Sequence, residues 1–246
     1  MKKVTVLAAL LSLLVVLLPG AATAQSFGVA PSTTLYFVHG ITQLSSAFDD
    51  GQPVNVLLND TACLAKSVRF GDIAGPFQLN PGDYKLAIVP AEKGCDPSAV
   101  IARTAVSLGD GENVSIVAHL TGNGGPVLTE FVNFGAAGIG LASWDSVAWP
   151  EFVVRNTSVL PMNVIAIEEA KGLKYAFEGL YPATEQRQTV VDGTWQLSFH
   201  QLSLFGSRSS ITLRTAAKFD TAYFFYAVGS AGNGTFRVIQ QALPIP

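Results

Sequence analysis

Trp195-Gln196-Leu197-Ser198-Phe199-His200 alternates apolar and polar side chains without a break, and Ile211-Thr212-Leu213-Arg214 does so again a few residues later. A period of two places every second side chain on one face, the pattern of a strand with one face against a core and the other toward water. The same reading extends outward along the chain. Leu35-Tyr36-Phe37-Val38, Val54-Asn55-Val56, Tyr84-Lys85-Leu86-Ala87-Ile88 and Val114-Ser115-Ile116-Val117 alternate or form short β-branched runs, separated by Gly, Pro, Asn and Asp. Such spacing predicts an all-β chain built as antiparallel sandwiches, Ig-like or transthyretin-like. Only Ile167 to Leu173, with Glu168, Glu169 and Lys171, has the composition to hold a helical turn.

The two halves can be laid over one another. Pro53-Val54-Asn55-Val56 matches Pro161-Met162-Asn163-Val164 at a shift of 108 residues. Gly82-Asp83-Tyr84 matches Gly193-Thr194-Trp195, and Arg103-Thr104-Ala105 matches Arg214-Thr215-Ala216, both at 111. Gly122-Asn123-Gly124 matches Gly232-Asn233-Gly234 at 110. A period near 110 is too long for a solenoid repeat and is the size of a whole sandwich domain. The expected organisation is a leader at 1–24, sandwich copy one at 25–134, a Gly/Ala/Trp connector at 135–150 and sandwich copy two at 151–246. The connector's spaced glycines, Gly135, Gly138 and Gly140, are followed by no helical pattern, which argues against a nucleotide loop.

Asn80-Pro81-Gly82-Asp83 and Asp192-Gly193 precede alternating strands, where a tight turn calls for Gly or Asn at positive φ. Tyr84 and Trp195 each follow two residues after the turn glycine and read as large anchors beneath the turn.

The N-terminus opens with Met1-Lys2-Lys3, continues as an apolar run from Val4 to Leu18, and reaches Ala22-Thr23-Ala24. Basic start, apolar centre and small residues at the cut form a secretory signal, with cleavage expected after Ala24. The apolar run is shorter than the roughly 20 residues that span a bilayer, so no transmembrane anchor is expected. Once Lys2 and Lys3 leave with the leader, 13 basic side chains face 18 acidic ones. A mildly acidic chain with no basic run is a poor ligand for a phosphate backbone, which excludes nucleic acid as the expected partner. Charged residues make up 13% of the sequence, about half the usual share, as in many extracellular β proteins.

Two cysteines, Cys63 and Cys95, make an even count in an exported chain and point to a structural disulfide. Metal ligation and redox chemistry are the alternatives, but no Cys-x-x-Cys is present. The three histidines, His39, His119 and His200, lack zinc-ligand spacing. His39 ends a strand, where its ring can hold a neighbouring loop; as a weak candidate for binding it joins Trp144 and Trp149. Those two tryptophans either stack on sugar rings or pack between the domains. No Gly-x-Ser-x-Gly and no pair of carboxylates can be nominated for hydrolysis. No cofactor or metal is expected and no catalytic residue is assigned.

These residues together resemble the secreted domain of unknown function 4397 family, present singly or in tandem. Its pattern is a hydrophobic strand ending in His or Asn, then Pro-x-Asp-Val, then Gly-x-Tyr opening a strand, then a late aromatic strand. Tyr36-Phe37-Val38-His39 and Val153-Val154-Arg155-Asn156 supply the first element, and the Pro-x-Asn-Val and Gly-x-Tyr/Trp pairs above supply the next two. Tyr223-Phe224-Phe225-Tyr226-Ala227-Val228-Gly229 supplies the last, blurred in copy one. Asn55 and Asn163 stand where the family usually has Asp, and Gly40-Ile41 replaces its small residue and proline. The resemblance implies an exported sandwich and no activity.

The expectation is therefore a secreted or cell-surface, non-enzymatic binding or structural module whose partner is an extracellular protein or glycan. Self-association through exposed edge strands, as a subunit of a surface assembly, is one alternative. A hydrolase with its site between the two copies is the other.

Overall fold

A computed structural model describes residues 33–42, 51–135, 148–202 and 208–246. The expected leader, Trp144 and most of the connector lie outside the described residues. The first half forms β1 (Thr33–His39), β2 (Val54–Leu58), β3 (Ala62–Val68), β4 (Ile73–Leu79), β5 (Gly82–Pro90), β6 (Ala102–Leu108), β7 (Asn113–Leu120) and β8 (Pro126–Phe134). The second forms β9 (Glu151–Asn156), β10 (Met162–Glu168), β11 (Lys174–Leu180), β12 (Thr184–Thr189), β13 (Gly193–Leu202), β14 (Arg208–Ala217), β15 (Thr221–Val228) and β16 (Arg237–Pro244). The stretch thought able to hold a helical turn is instead the end of β10 and a tight turn into β11.

Each half is a pair of four-stranded sheets. The first half has orders β4-β1-β7-β8 and β3-β2-β5-β6, and the second repeats them as β12-β9-β15-β16 and β11-β10-β13-β14. Pairing is antiparallel except at the centre of one sheet in each half, where β1 runs parallel to β7 and β9 to β15. Adjacent parallel strands need a long crossover. The intervening strands, most of which build the other sheet, provide it. Apolar patterning reports which face is buried and is blind to strand direction.

Cross-strand register also adjusts the repeat. Gly82 faces Leu108 and Gly193 faces Ala217, so the equivalent of Arg214 is Ala105, and the Arg-Thr-Ala match is out of step by two residues.

Three apolar cores stack the four sheets into layers. Leu35, Phe37, Val56, Ile88 and Ile116 fill the first sandwich, and Phe152, Val164, Trp195, Phe199 and Phe225 fill the second. The third core lies between the sandwiches and joins Val38, Val117 and Phe131 to Val153, Phe224 and Tyr226. The sheets holding the parallel pairs are thus inner layers, apolar on both faces. This accounts for unbroken runs such as Phe152-Val153-Val154 and Tyr223-Phe224-Phe225-Tyr226, since a strand covered on both sides has no polar face to alternate with.

Arg155 is fully buried in that third core. Its Nε donates to Glu185 at 2.9 Å, Nη1 to Asn133 Oδ1 at 2.6 Å and to Tyr226 Oη at 3.1 Å, and Nη2 to the Val132 carbonyl at 3.2 Å. Its guanidinium also lies 4.8 Å from the ring centres of Phe131 and Phe224. A buried charge is tolerable when paired and hydrogen-bonded, and here the partners come from both halves. Ser115 and Tyr226 hydroxyls, 2.8 Å apart, add a second polar tie across the boundary.

Cys63 and Cys95 are joined in a disulfide, with Cα atoms 5.9 Å apart. The bond holds the excursion after β5 against Leu57, Ala87 and Val89 on the outer face of the first half.

Candidate functional site

The two sandwiches share a cleft of about 270 Å³ at the ends toward which β1, β7, β9 and β15 run. Its walls come from matching positions. His39 pairs with Ala118 and Asn156 with Ala227, so Thr121 and Ser230 each stand three residues beyond an equivalent alanine. Gly40 and Thr42 from the first half face Thr157 and Asn233 from the second. A Cβ on Gly40 would come within 2.7 Å of Val228 Cγ1 and 2.9 Å of the Ala118 carbonyl, so the halves meet here only because this residue has no side chain.

No charged side chain among the described residues lines the cleft. Thr121 Oγ1 accepts the Gly125 N–H at 3.2 Å and Ser230 Oγ accepts the Gly232 N–H at 3.2 Å. Each hydroxyl keeps its own proton to donate. The arrangement offers neutral donors and backbone to a ligand and supplies no group that titrates.

His39 lies beneath the rim, fully enclosed. Its Nδ1 accepts the Ile41 N–H at 3.2 Å and its Nε2 lies 2.9 Å from the Gln52 carbonyl, which fixes the neutral Nε2–H tautomer. Asn156 does the same work in the second half. Its Oδ1 accepts the Ser158 N–H at 3.0 Å, also two residues on, and its Nδ2 donates to the Leu160 and Leu180 carbonyls. Burial pushes the His39 pKa down, against the opposing pull of the Gln52 carbonyl and the Asp72 charge. Burial lowers that of His119 as well.

Trp149 is at the opposite end of the strands, half exposed, with its ring 5.1 Å from that of Phe219. The structure does not bring it together with His39. Arg155, Tyr226 and the cleft hydroxyls were not singled out from sequence. The signal for Arg155 was present: a lone charge inside Phe152-Val153-Val154-Arg155 is out of place unless partnered.

The family model described as Domain of unknown function (DUF4397) matches residues 35–137. That is a single copy, running from within β1 past the end of β8. No curated protein matches. Among solved structures, the chain is similar to a candidate cell adhesion protein from Bacteroides uniformis at 9% identity and TM-score 0.28, covering 88% of this chain and 100% of that one. A second candidate cell adhesion protein, from Bacteroides ovatus, shares 9% identity at TM-score 0.23, covering 88% and 98%. A leucine-rich repeat protein from Bacteroides thetaiotaomicron shares 10% at TM-score 0.20, where 82% of this chain spans 26% of that one. All three superpose loosely.

Side chains at matching places in the two halves hold backbone. β3 carries an extra residue opposite β2 between Val68 and Ala65, and Asn55 Oδ1 accepts the N–H of Ser67 there at 2.8 Å. β11 carries one opposite β10, and Asn163 Oδ1 accepts the N–H of Gly179 at 2.8 Å. Ser67 and Gly179 both adopt left-handed backbone, with φ of 53° and 62°. These are β-bulges closed by a side-chain acceptor. Tyr84 Oη donates to the Asn80 carbonyl at 2.7 Å and Trp195 Nε1 to the Val191 carbonyl at 3.0 Å, each four residues back. Among the described residues no helix is long and apolar enough to cross a membrane.

Proposed function

We propose that this protein is an exported, non-enzymatic binding module, made of two copies of the family unit, that holds a neutral ligand in the cleft the copies share. The observation that carries this reading is the cleft itself: matched loops from both halves converge on hydroxyls and backbone, with no titrating side chain. An envelope or extracellular glycan, rich in neutral hydroxyls, suits such a lining, and a protein segment presenting its backbone is the other partner class. The tandem copy is supported by the repeated strand order and by three clamps that recur: His39 with Asn156, Asn55 with Asn163, and Tyr84 with Trp195. Export is supported by the disulfide and the low charge.

The test is a glycan and envelope-polysaccharide screen of the chain from Gln25 onward, with two variants beside it. Thr121→Trp fills the cleft, and Trp149→Ala removes the exposed aromatic at the other end. Binding lost only in Thr121→Trp supports the cleft. Binding lost only in Trp149→Ala moves the site to the Trp149–Phe219 pair. Silence throughout removes the glycan reading.

A further inference from the structure

An antiparallel sandwich has edges, and an edge strand carries a row of backbone N–H and C=O groups without partners. The inner sheets end in β4, β8, β12 and β16: the pairings of β4 and β8 carry register shifts, β12 carries Glu185 and Arg187, and β16 pairs with β15 over eight residues without a shift. The outer sheets end in β3, β6, β11 and β14. Three of these are blunted. β3 is bulged and tied by the Cys63–Cys95 bond, β11 is bulged at Gly179, and β6 lies against β8 across the side of its sandwich. β14 is different: it pairs with β13 over ten consecutive residues without a register shift, from Gly193–Ala217 to Leu202–Arg208.

The side chains of β14 point the same way. Ile211 and Leu213 face the second core and are only partly covered by it. Ser210, Thr212, Arg214 and Ala216 line the outward face and are exposed. The one charge in the middle of that row is already paired, since Arg214 Nε donates to Glu169 at 2.7 Å. Edges are usually protected by a bulge, a proline or an unpaired charge, and the centre of β14 has none.

We propose that β14 is a docking edge for a second copy of this chain, pairing antiparallel with the same strand across a two-fold axis. The outer sheets of two molecules would then join into one eight-stranded sheet. A second copy fits because the row of small hydroxyls can face itself across the axis, where Thr–Thr and Ser–Thr pairs are favourable, and because Arg214 brings its own counter-charge. Because β14 pairs with the same strand of the second copy, the contact is isologous, uses each β14 edge once and closes at a dimer instead of growing into a fibre. The added strand would also cover Ile211 and Leu213.

Light scattering of the exported chain over a rising concentration series tests this. The expected mass doubles and then stops rising. Ser210→Lys with Thr212→Lys sets like charges opposite one another in the pair, and should keep the protein monomeric at least tenfold higher in concentration. The matched change on the other edge, Ala176→Lys with Glu178→Lys, should leave the dimer intact. Hydrogen exchange of the unaltered protein reads the same contact without mutation, with β14 amides slowing as concentration rises while β3 and β11 do not. A constant monomer mass, a dimer indifferent to the β14 lysines, or equal loss from the β11 lysines would overturn the proposal.

Discussion

Asn55 Oδ1 accepts the backbone N–H of Ser67 at 2.8 Å while its Nδ2 donates to the carbonyls of Ala91 and Gly94, the latter at 2.6 Å. One buried amide therefore fastens both the bulge of β3 and the turn that follows β5. A carboxylate can make the first bond and not the others, because it has no proton to give those carbonyls. Asn163 makes only the equivalent of the first, to Gly179. Asn55→Asp should accordingly destabilise the protein by about 2 kcal/mol or more, whereas Asn163→Asp should change stability by less than about 1 kcal/mol. Urea denaturation of the two variants measures the difference, and equal losses would contradict the assignment.

The pH dependence follows from His39 and His119. Burial lowers both pKa values in the folded protein, so the unfolded chain binds protons more readily. Stability therefore rises with pH wherever the unfolded form is the more protonated. It is fully present above about 6.5, the ordinary histidine value, and declines as pH falls below it through the lowered folded values. Glu130 and Glu151 act in the opposite sense, because burial raises their pKa values and protonation favours the folded state. Their range lies nearer the carboxylate values, so thermal melts between pH 7 and 5.5 read the histidines. His39→Asn, which installs the residue the second half uses, should flatten part of that slope. An unchanged slope would show that His39 does not titrate on unfolding.

Gly82 and Gly193 open β5 and β13 with φ of 148° and 146°. At Gly82 a Cβ would meet nothing within 4 Å, while at Gly193 it would come 2.8 Å from Glu168 Oε1. Gly82→Val should cost about 1–3 kcal/mol through backbone strain alone. Gly193→Val should cost more, because Glu168 is buried and its carboxylate receives the Lys171 N–H. Melting temperatures of the pair rank the two effects, and a Gly82→Val protein that melts like the parent would refute the strain.

How far the chain could be read beforehand depended on the kind of information each feature carries. Alternation at Trp195–His200 and Ile211–Arg214 reports one buried face and located β13 and β14. The turn signal at Gly82 and Gly193 was equally local, and the Cys63–Cys95 pairing, though it spans 32 residues, was legible because the sequence holds only two cysteines. Strand direction was not local, since β1 meets β7 only after the chain has built the strands between them. The contact between the halves was written in the sequence, as apolar runs in β9 and β15 that leave no polar face, yet the same runs also suit a strand in a deeper single core. The cleft was hidden for a further reason: its walls are glycines and hydroxyls that also compose ordinary turns, and only their convergence from both halves sets them apart.

The third core makes a prediction about cooperativity. Val38, Val117 and Phe131 of the first half are covered by Val153, Phe224 and Tyr226 of the second, and Arg155 is satisfied by groups from both. Separating the sandwiches exposes that apolar surface and strands a charge, so the halves should unfold in one transition. Removing Arg155 takes one donor each from Asn133, the Val132 carbonyl and Tyr226, which keep Ser115, Arg187 and Gln241 as partners, and one of two arginines from Glu185, so the loss should be about 1–3 kcal/mol. Trp195 is enclosed in the second half, and residues 1–134 contain no tryptophan. Tryptophan fluorescence therefore follows the second half, while far-ultraviolet circular dichroism follows strands in both. In the parent protein the two urea curves should coincide. In Arg155→Ala both midpoints should fall and the curves should separate, as the sandwiches begin to unfold independently. Coincident curves at an unchanged midpoint would mean that the arginine does not hold the halves together.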